Sequence, residues 1–136
     1  MILTDELCDK LCAAAQEKSK ELGVEISFAI SDASGLPKLY RRFGEALVLS
    51  ITLVPGKAYT AAVTQCKTKD VAACAAEGGS LMAIQSNDPR ITLVAGGYPL
   101  FVDGKIAGAI GVGGGTEEQD CTIAEYVVDV FERLTK

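Results

Sequence analysis

The sequence predicts an α/β (α+β) fold, a central antiparallel sheet of about five strands with helices packed against it. Two observations carry most of this. Two pairs of β-rich runs are each joined by a short turn: residues 24–30 with 36–43 across Ser31-Asp32-Ala33-Ser34-Gly35, and residues 98–102 with 105–112 across Asp103-Gly104. Hairpins of this kind build antiparallel sheets. Amphipathic helices with cap signals flank the pattern on both sides. The 136 residues fit one domain, 1–136, because domains run to about 100–200 residues. A chain of that size holds a core without disulfide or metal staples.

In chain order, Thr4 is placed to N-cap a first helix, Asp5 and Glu6 suit its positive end, and Gly23 is placed to close it. Leu3, Leu7, Leu11, Ala14, Ala15 and Leu22 form its apolar stripe. The first hairpin follows. Residues 45–65 are mostly apolar and alanine-rich, and Pro55-Gly56 divides them. The expectation is a short helix, a break, and a second helix over about 56–65. Residues 70–76 read as one or two helical turns closed by Gly78-Gly79, and residues 81–87 are ambiguous. Residues 91–94 read as a short strand before Gly96-Gly97. Asp103-Gly104 is the residue pair favoured in a two-residue hairpin turn. Thr116-x-x-Gln119 is a capping box, and Ile123, Val127, Val130, Phe131 and Leu134 line one face of a last helix. The expected order is α-β-β-α-α-β-β-β-α, with the helices on one face of the sheet.

Composition narrows function by exclusion. Apolar residues make up 49% and charged residues 23%, a globular balance. The net charge of -5 repels phosphate backbones and argues against nucleic acid. No apolar run approaches the ~18–20 residues of a membrane span. Met1-Ile2-Leu3-Thr4-Asp5-Glu6 carries neither a basic nor an apolar signal-peptide region. The five cysteines then read as reduced thiols, and the expected location is the cytoplasm. Histidine is absent. That removes histidine general bases, serine and cysteine nucleophiles activated by histidine, histidine zinc sites and histidine-ligated haem.

The densest local signal is Gly111-Val-Gly113-Gly114-Gly115-Thr116-Glu117-Glu118-Gln119-Asp120. Glycines allow close approach of another group, and free N–H groups at a helix start attract anions. The run reads either as a cradle for a ligand carboxylate or phosphate, or as a tight strand-to-helix turn packed by its own cap. It is no dinucleotide fingerprint, because Thr116 stands at the third glycine position and no parallel βαβ unit can follow. It is no P-loop, since no Gly-Lys-Ser/Thr follows. Glu117, Glu118 and Asp120 complement the helix dipole, or one of them meets a ligand donor or a metal.

Lys57 and Thr60, three apart after Pro55-Gly56, share a helix face. Lys57 is either a solvated lysine or a point charge for an anionic ligand. Cys8 and Cys12 share a face, but with no second ligand pair nearby they read as core thiols rather than zinc ligands. Cys66 and Cys74 flank Lys67-Thr68-Lys69, and Cys121 lies where a helix dipole favours thiolate. No metal site is expected.

Four blocks together resemble the GlcG-like family, which takes in the haem-binding HbpS-like proteins: Ser31-Asp32-Ala33-Ser34-Gly35, Gly56-Lys57-Ala58-Tyr59-Thr60-Ala61-Ala62, Gly96-Gly97-Tyr98-Pro99, and the stretch from Gly108 to Asp120. The resemblance spans nearly the whole chain. It implies a profilin-like fold, a homo-oligomer, and a place in bacterial glycolate or glycerol/diol metabolism. It also implies a small-molecule or cofactor ligand, with haem or a corrinoid as candidates. Two departures matter. Leu36 stands where many members carry histidine, and Gly113 where many carry serine. Haem would then need tyrosine, cysteine, lysine or methionine, or no protein ligand at all.

The expected function is a small-molecule-binding accessory protein, with Lys57, Thr60, Gly113, Gly114, Gly115 and Glu118 lining the site. One alternative is an enzyme that uses Lys57 with Glu118 or Asp120 as acid and base on a small hydroxy acid or aldehyde. The other is a structural subunit that stabilises a partner enzyme.

Overall fold

The computed structural model describes residues 2–136. Helix α1 (Asp5–Leu22) begins where Thr4 Oγ1 accepts the Leu7 N–H at 3.1 Å. It ends at Gly23, whose φ of 69° lets Gly23 and Val24 donate back to the carbonyls of Lys20 and Ser19. Strands β1 (Ser27–Asp32) and β2 (Pro37–Arg42) form the first hairpin, and β3 (Gly97–Val102) and β4 (Lys105–Gly113) the second. Asp103 and Gly104 both have positive φ, 51° and 77°, as the tight hairpin turn requires. β1 and β4 pair at the centre, so the order is β2-β1-β4-β3, antiparallel throughout.

Helix α2 (Ser50–Thr64), α3 (Thr68–Ala75) and α4 (Ile84–Asn87) lie between the hairpins, and α5 (Glu117–Leu134) follows β4. Side-chain size along the central strands sorts these helices into layers. Phe28, Ile30, Ile110 and Val112 point to one face and pack with Leu11 and Ala15 of α1 and Ile123, Val127 and Phe131 of α5. Each large side chain buried there contributes about 1.5–3 kcal/mol. The opposite face carries Ala29, Ala109, Gly111 and Gly113, and α2 lies close against it through Val54, Ala58, Ala61 and Ala62.

Three expectations need correction. Helices cover both faces of the sheet, because the strand positions facing away from α1 and α5 are small enough to admit α2. Among the described residues the sheet has four strands rather than about five. Residues 91–94 form no strand, because other elements take up their backbone groups: Ile91 O accepts from Gln85 Nε2 at 2.8 Å, and Thr92 N donates to Thr60 Oγ1 at 2.7 Å. Finally, Pro55 does not divide the helix, and α2 runs through it. The ring removes one bond, to the carbonyl of Ile51, and that residue lies on the exposed side of the helix. The adjacent Gly56 admits Thr92, whose Oγ1 would collide with a Cβ there. Residues 84–87 of the ambiguous stretch are helical.

Candidate functional site

The glycine turn closes on itself. β4 ends at Gly113, Gly114 takes a φ of 121°, and Thr116 caps α5. The capping box is complete: Gln119 N donates to Thr116 Oγ1 at 3.1 Å, and Thr116 N donates to Gln119 Oε1 at 2.9 Å. Gly115 N donates to Asp120 Oδ1 at 3.0 Å. The anion at this helix start is therefore the chain's own Asp120 carboxylate.

Beneath the turn lies Lys57. Its side chain is 2% exposed, and that of Asp120 is 7% exposed. Lys57 Nζ donates to Val112 O at 2.8 Å and stands 3.7 Å from Asp120 Oδ2. Burial lowers the Lys57 pKa, against the attraction of Asp120. Burial also raises the Asp120 pKa, against Lys57 and the Gly115 N–H. Desolvation outweighs attraction for both partners. The glycines make room for this pair. A Cβ at Gly113 would stand 2.6 Å from Val54 Cγ2 and 3.2 Å from Lys57 Nζ. A Cβ at Gly111 would strike the Val54 carbonyl oxygen and lie 2.9 Å from Ala58 N. Both glycines serve the close approach of α2.

The structure thus brings Lys57, Gly113 and Asp120 together. Thr60 is fully buried one turn along α2 and holds the 91–94 segment through Thr92 N. Gly114 and Gly115 are partly exposed, and Glu118 is exposed. Among the described residues, Lys57 forms its ion pair with Asp120 and not with Glu118.

A groove lies elsewhere on the same helix, between the outer side of α2 and the β1–β2 hairpin. Its volume is about 640 Å³, and its walls include Ala29, Ile30, Leu36, Leu39, Ile51, Leu53 and Ala58, with the rings of Tyr40 and Tyr59. Pro89, Arg90 and Thr92 also line it. The hydroxyl groups in the walls already donate within the protein. Tyr40 Oη donates to Ser27 Oγ at 3.0 Å, Ser31 Oγ to Ala58 O at 3.1 Å, and Thr52 Oγ1 to Leu49 O at 3.2 Å. Tyr59 Oη donates to Asp88 Oδ2, which raises the phenol's pKa, and the same bond lowers that of Asp88. The Arg90 guanidinium pairs with Asp88 at 3.2 Å and lies 4.2 Å from the Tyr59 ring centroid. Such cation–π contacts are favourable. Leu36 and Ile51, each 62% exposed, border the groove.

Sequence reasoning did not single out this groove. Its walls come from a hairpin, a helix and a loop far apart in the chain, and only tertiary packing joins them. Its local signals were Leu36, the apolar residue in place of a family histidine, and the two sequence blocks that supply Ser31, Gly35, Gly56, Ala58 and Tyr59 to its walls.

Among the described residues, no group of three or more histidine, cysteine or carboxylate side chains is placed to hold a metal ion. All five cysteines are free, and burial raises the thiol pKa of Cys8 and Cys12. No described helix is long and apolar enough to cross a membrane.

Comparison with known proteins agrees with this architecture. A family model described as haem degrading protein HbpS-like matches residues 3–129. An uncharacterized 15.0 kDa protein in the dhaT-dhaS intergenic region of Citrobacter freundii is 36% identical over 126 residues, covering 92% of this chain and 89% of that protein. The crystal structure of Klebsiella pneumoniae protein ORFY superposes with a TM-score of 0.91 at 31% identity, over 96% of this chain and 90% of the other. The crystal structure of a PduOC:heme complex gives 0.89 at 31% identity, over 93% of each chain.

Proposed function

Because the chain belongs to the HbpS-like family, we propose that it is a small-molecule-binding accessory protein of bacterial glycolate or glycerol/diol metabolism, located in the cytoplasm. The observation that carries this reading is the groove of about 640 Å³. Its size falls within the roughly 300–1,000 Å³ of small-molecule sites, and an apolar wall with few polar groups is their usual lining. The ligand belongs in this groove rather than at the glycine turn. The turn's Gly115 N–H is bonded to Asp120, and Lys57 is sealed beneath it. The proposed metabolic setting rests on the family resemblance of the sequence blocks, beside which stands the relative in the dhaT-dhaS region.

A homo-oligomer fits the exposed run Leu47-Val48-Leu49 and the nearby Ile51, an apolar strip that a second copy would cover.

Haem and corrinoids fit the groove in one respect and not in another. The apolar walls suit the faces of a tetrapyrrole. The donor set does not suit its metal: histidine is absent, and both phenols in the walls already donate to other oxygens. The acid–base alternative has Lys57 and Asp120 adjacent, but both are shielded from solvent and so from substrate.

A thermal-shift titration with haem, cobalamin and a panel of hydroxy acids, aldehydes and diols tests the proposal. We expect a rise in melting temperature with at least one of them. The proposal fails if none shifts the transition and native mass spectrometry of freshly purified protein finds no bound molecule.

A further inference from the structure

We propose that the groove between α2 and the β1–β2 hairpin takes a flat, mainly apolar carboxylate, held by its ring faces and by Arg90, with no bond from the protein to a metal. The inference rests on the small-molecule reading above and names the class of ligand.

Three observations lead to it. First, the hydroxyl groups of the walls, those of Ser31, Tyr40, Thr52 and Tyr59 among them, already donate within the protein. A wall of that kind offers a ligand apolar contact and aromatic faces rather than a ring of hydrogen bonds.

Second, the metal-donor chemistry is missing. The chain has no histidine, and Leu36 presents an isobutyl group at the groove border. A phenol ligates iron well only after losing its proton. Tyr59 instead holds its proton in a bond to Asp88, and this raises its pKa. Tyr40 holds its proton toward Ser27. An arginine cannot coordinate while protonated.

Third, Arg90 supplies the only cationic side chain among the groove-lining residues. Its Nε and one terminal nitrogen face Asp88, and the guanidinium lies over the Tyr59 ring. A planar guanidinium carries five N–H donors, so donors remain for a ligand carboxylate. Tyr59 and Asp88 hold the fork at the groove's edge, which suits a ligand with an apolar body and an acidic tail.

The test uses the full chain and three probes of one shape: metal-free protoporphyrin IX, its iron(III) complex, and the metal-free dimethyl ester. Binding is followed by absorbance and by quenching of porphyrin fluorescence. We expect the first two to bind with dissociation constants within about threefold of one another, and the ester about tenfold more weakly. Arg90→Gln should weaken the metal-free acid about tenfold and leave the ester unchanged. Tyr59→Phe and Tyr40→Phe should leave the absorbance spectrum of the bound iron complex unaltered. Thr52→Trp, at an exposed position on the groove wall, should abolish binding of all three while the melting temperature stays within a few degrees of the parent's.

Iron-dependent binding more than tenfold tighter, with a spectrum altered by either tyrosine variant, overturns the inference and leaves the accessory-protein reading standing. Acid and ester binding equally well, or Thr52→Trp binding normally, overturns it too. If no porphyrin binds, the ligand class is wrong. The broader reading then stands or falls on the metabolite titration and on co-purified mass.

Discussion

The buried pair of Lys57 and Asp120 gives the sharpest stability prediction. At 3.7 Å, with an effective dielectric of about 20, the attraction is about 4.5 kcal/mol, and it is set against the desolvation of both ions. Lys57→Met keeps most of the apolar stem, one heavy atom shorter, and removes the ammonium. Asp120 then keeps only the Gly115 N–H, in a place 7% exposed. Asp120→Asn preserves an oxygen for Gly115 and leaves the Lys57 ammonium with Val112 O alone. Stranding one ion of a buried pair costs about 3–5 kcal/mol. The double variant strands neither, so it should lie within about 1–2 kcal/mol of the parent. The coupling energy of the cycle should therefore reach about 4 kcal/mol or more. Urea unfolding of the four proteins at neutral pH measures it. Single variants that each cost under about 1 kcal/mol, or that simply add in the double, would show that the two groups are not a coupled buried pair.

The same pair predicts a pH signature, and two further variants test the packing. Because the Asp120 pKa is raised, between 3.8 and its folded value the native state holds a proton that the unfolded chain has released. Its contribution to stability therefore falls as pH rises through that window. The difference between parent and Asp120→Asn, followed by urea unfolding from about pH 4 upward, should slope downward there, and an upward slope contradicts the assignment. Gly111→Ala drives a Cβ into the backbone of α2 at Val54 and Ala58, where no side chain can swing away. It should cost about 1–3 kcal/mol in urea unfolding, and a neutral result would mean that α2 does not lie this close to β4. Val48→Asp, at a position 76% exposed, should leave the monomer's fold intact and shift the protein toward monomer in sedimentation velocity. An unchanged sedimentation coefficient would remove that strip from the oligomer contact.

Several elements were legible in the sequence because their causes are local. Thr4 and Gly23 bound α1, Asp103-Gly104 turns the second hairpin, and Thr116 with Gln119 caps α5, each through groups within a few residues. The hairpins implied an antiparallel sheet, and the sequence blocks around Lys57 and Gly108 to Asp120 pointed to the family that the comparison then found.

Where distant groups decide, the sequence pattern was insufficient. Residues 91–94 have strand-like composition, yet Thr60 and Gln85 take their backbone partners and no strand forms. Pro55 looks like a break, yet packing of α2 on the small-residue face of the sheet carries the helix through it. The groove follows the same logic, because its walls meet only when α2 docks over the first hairpin. The sequence by itself determined which residues carry charge, which turns close, and that no imidazole exists to bind a metal. Only the tertiary structure decided that Asp120 fills the anion position of the glycine turn and that Lys57 lies buried beneath it. The physical reason is that burial, which sets the cost and the partner of each charge, depends on residues far apart in the chain.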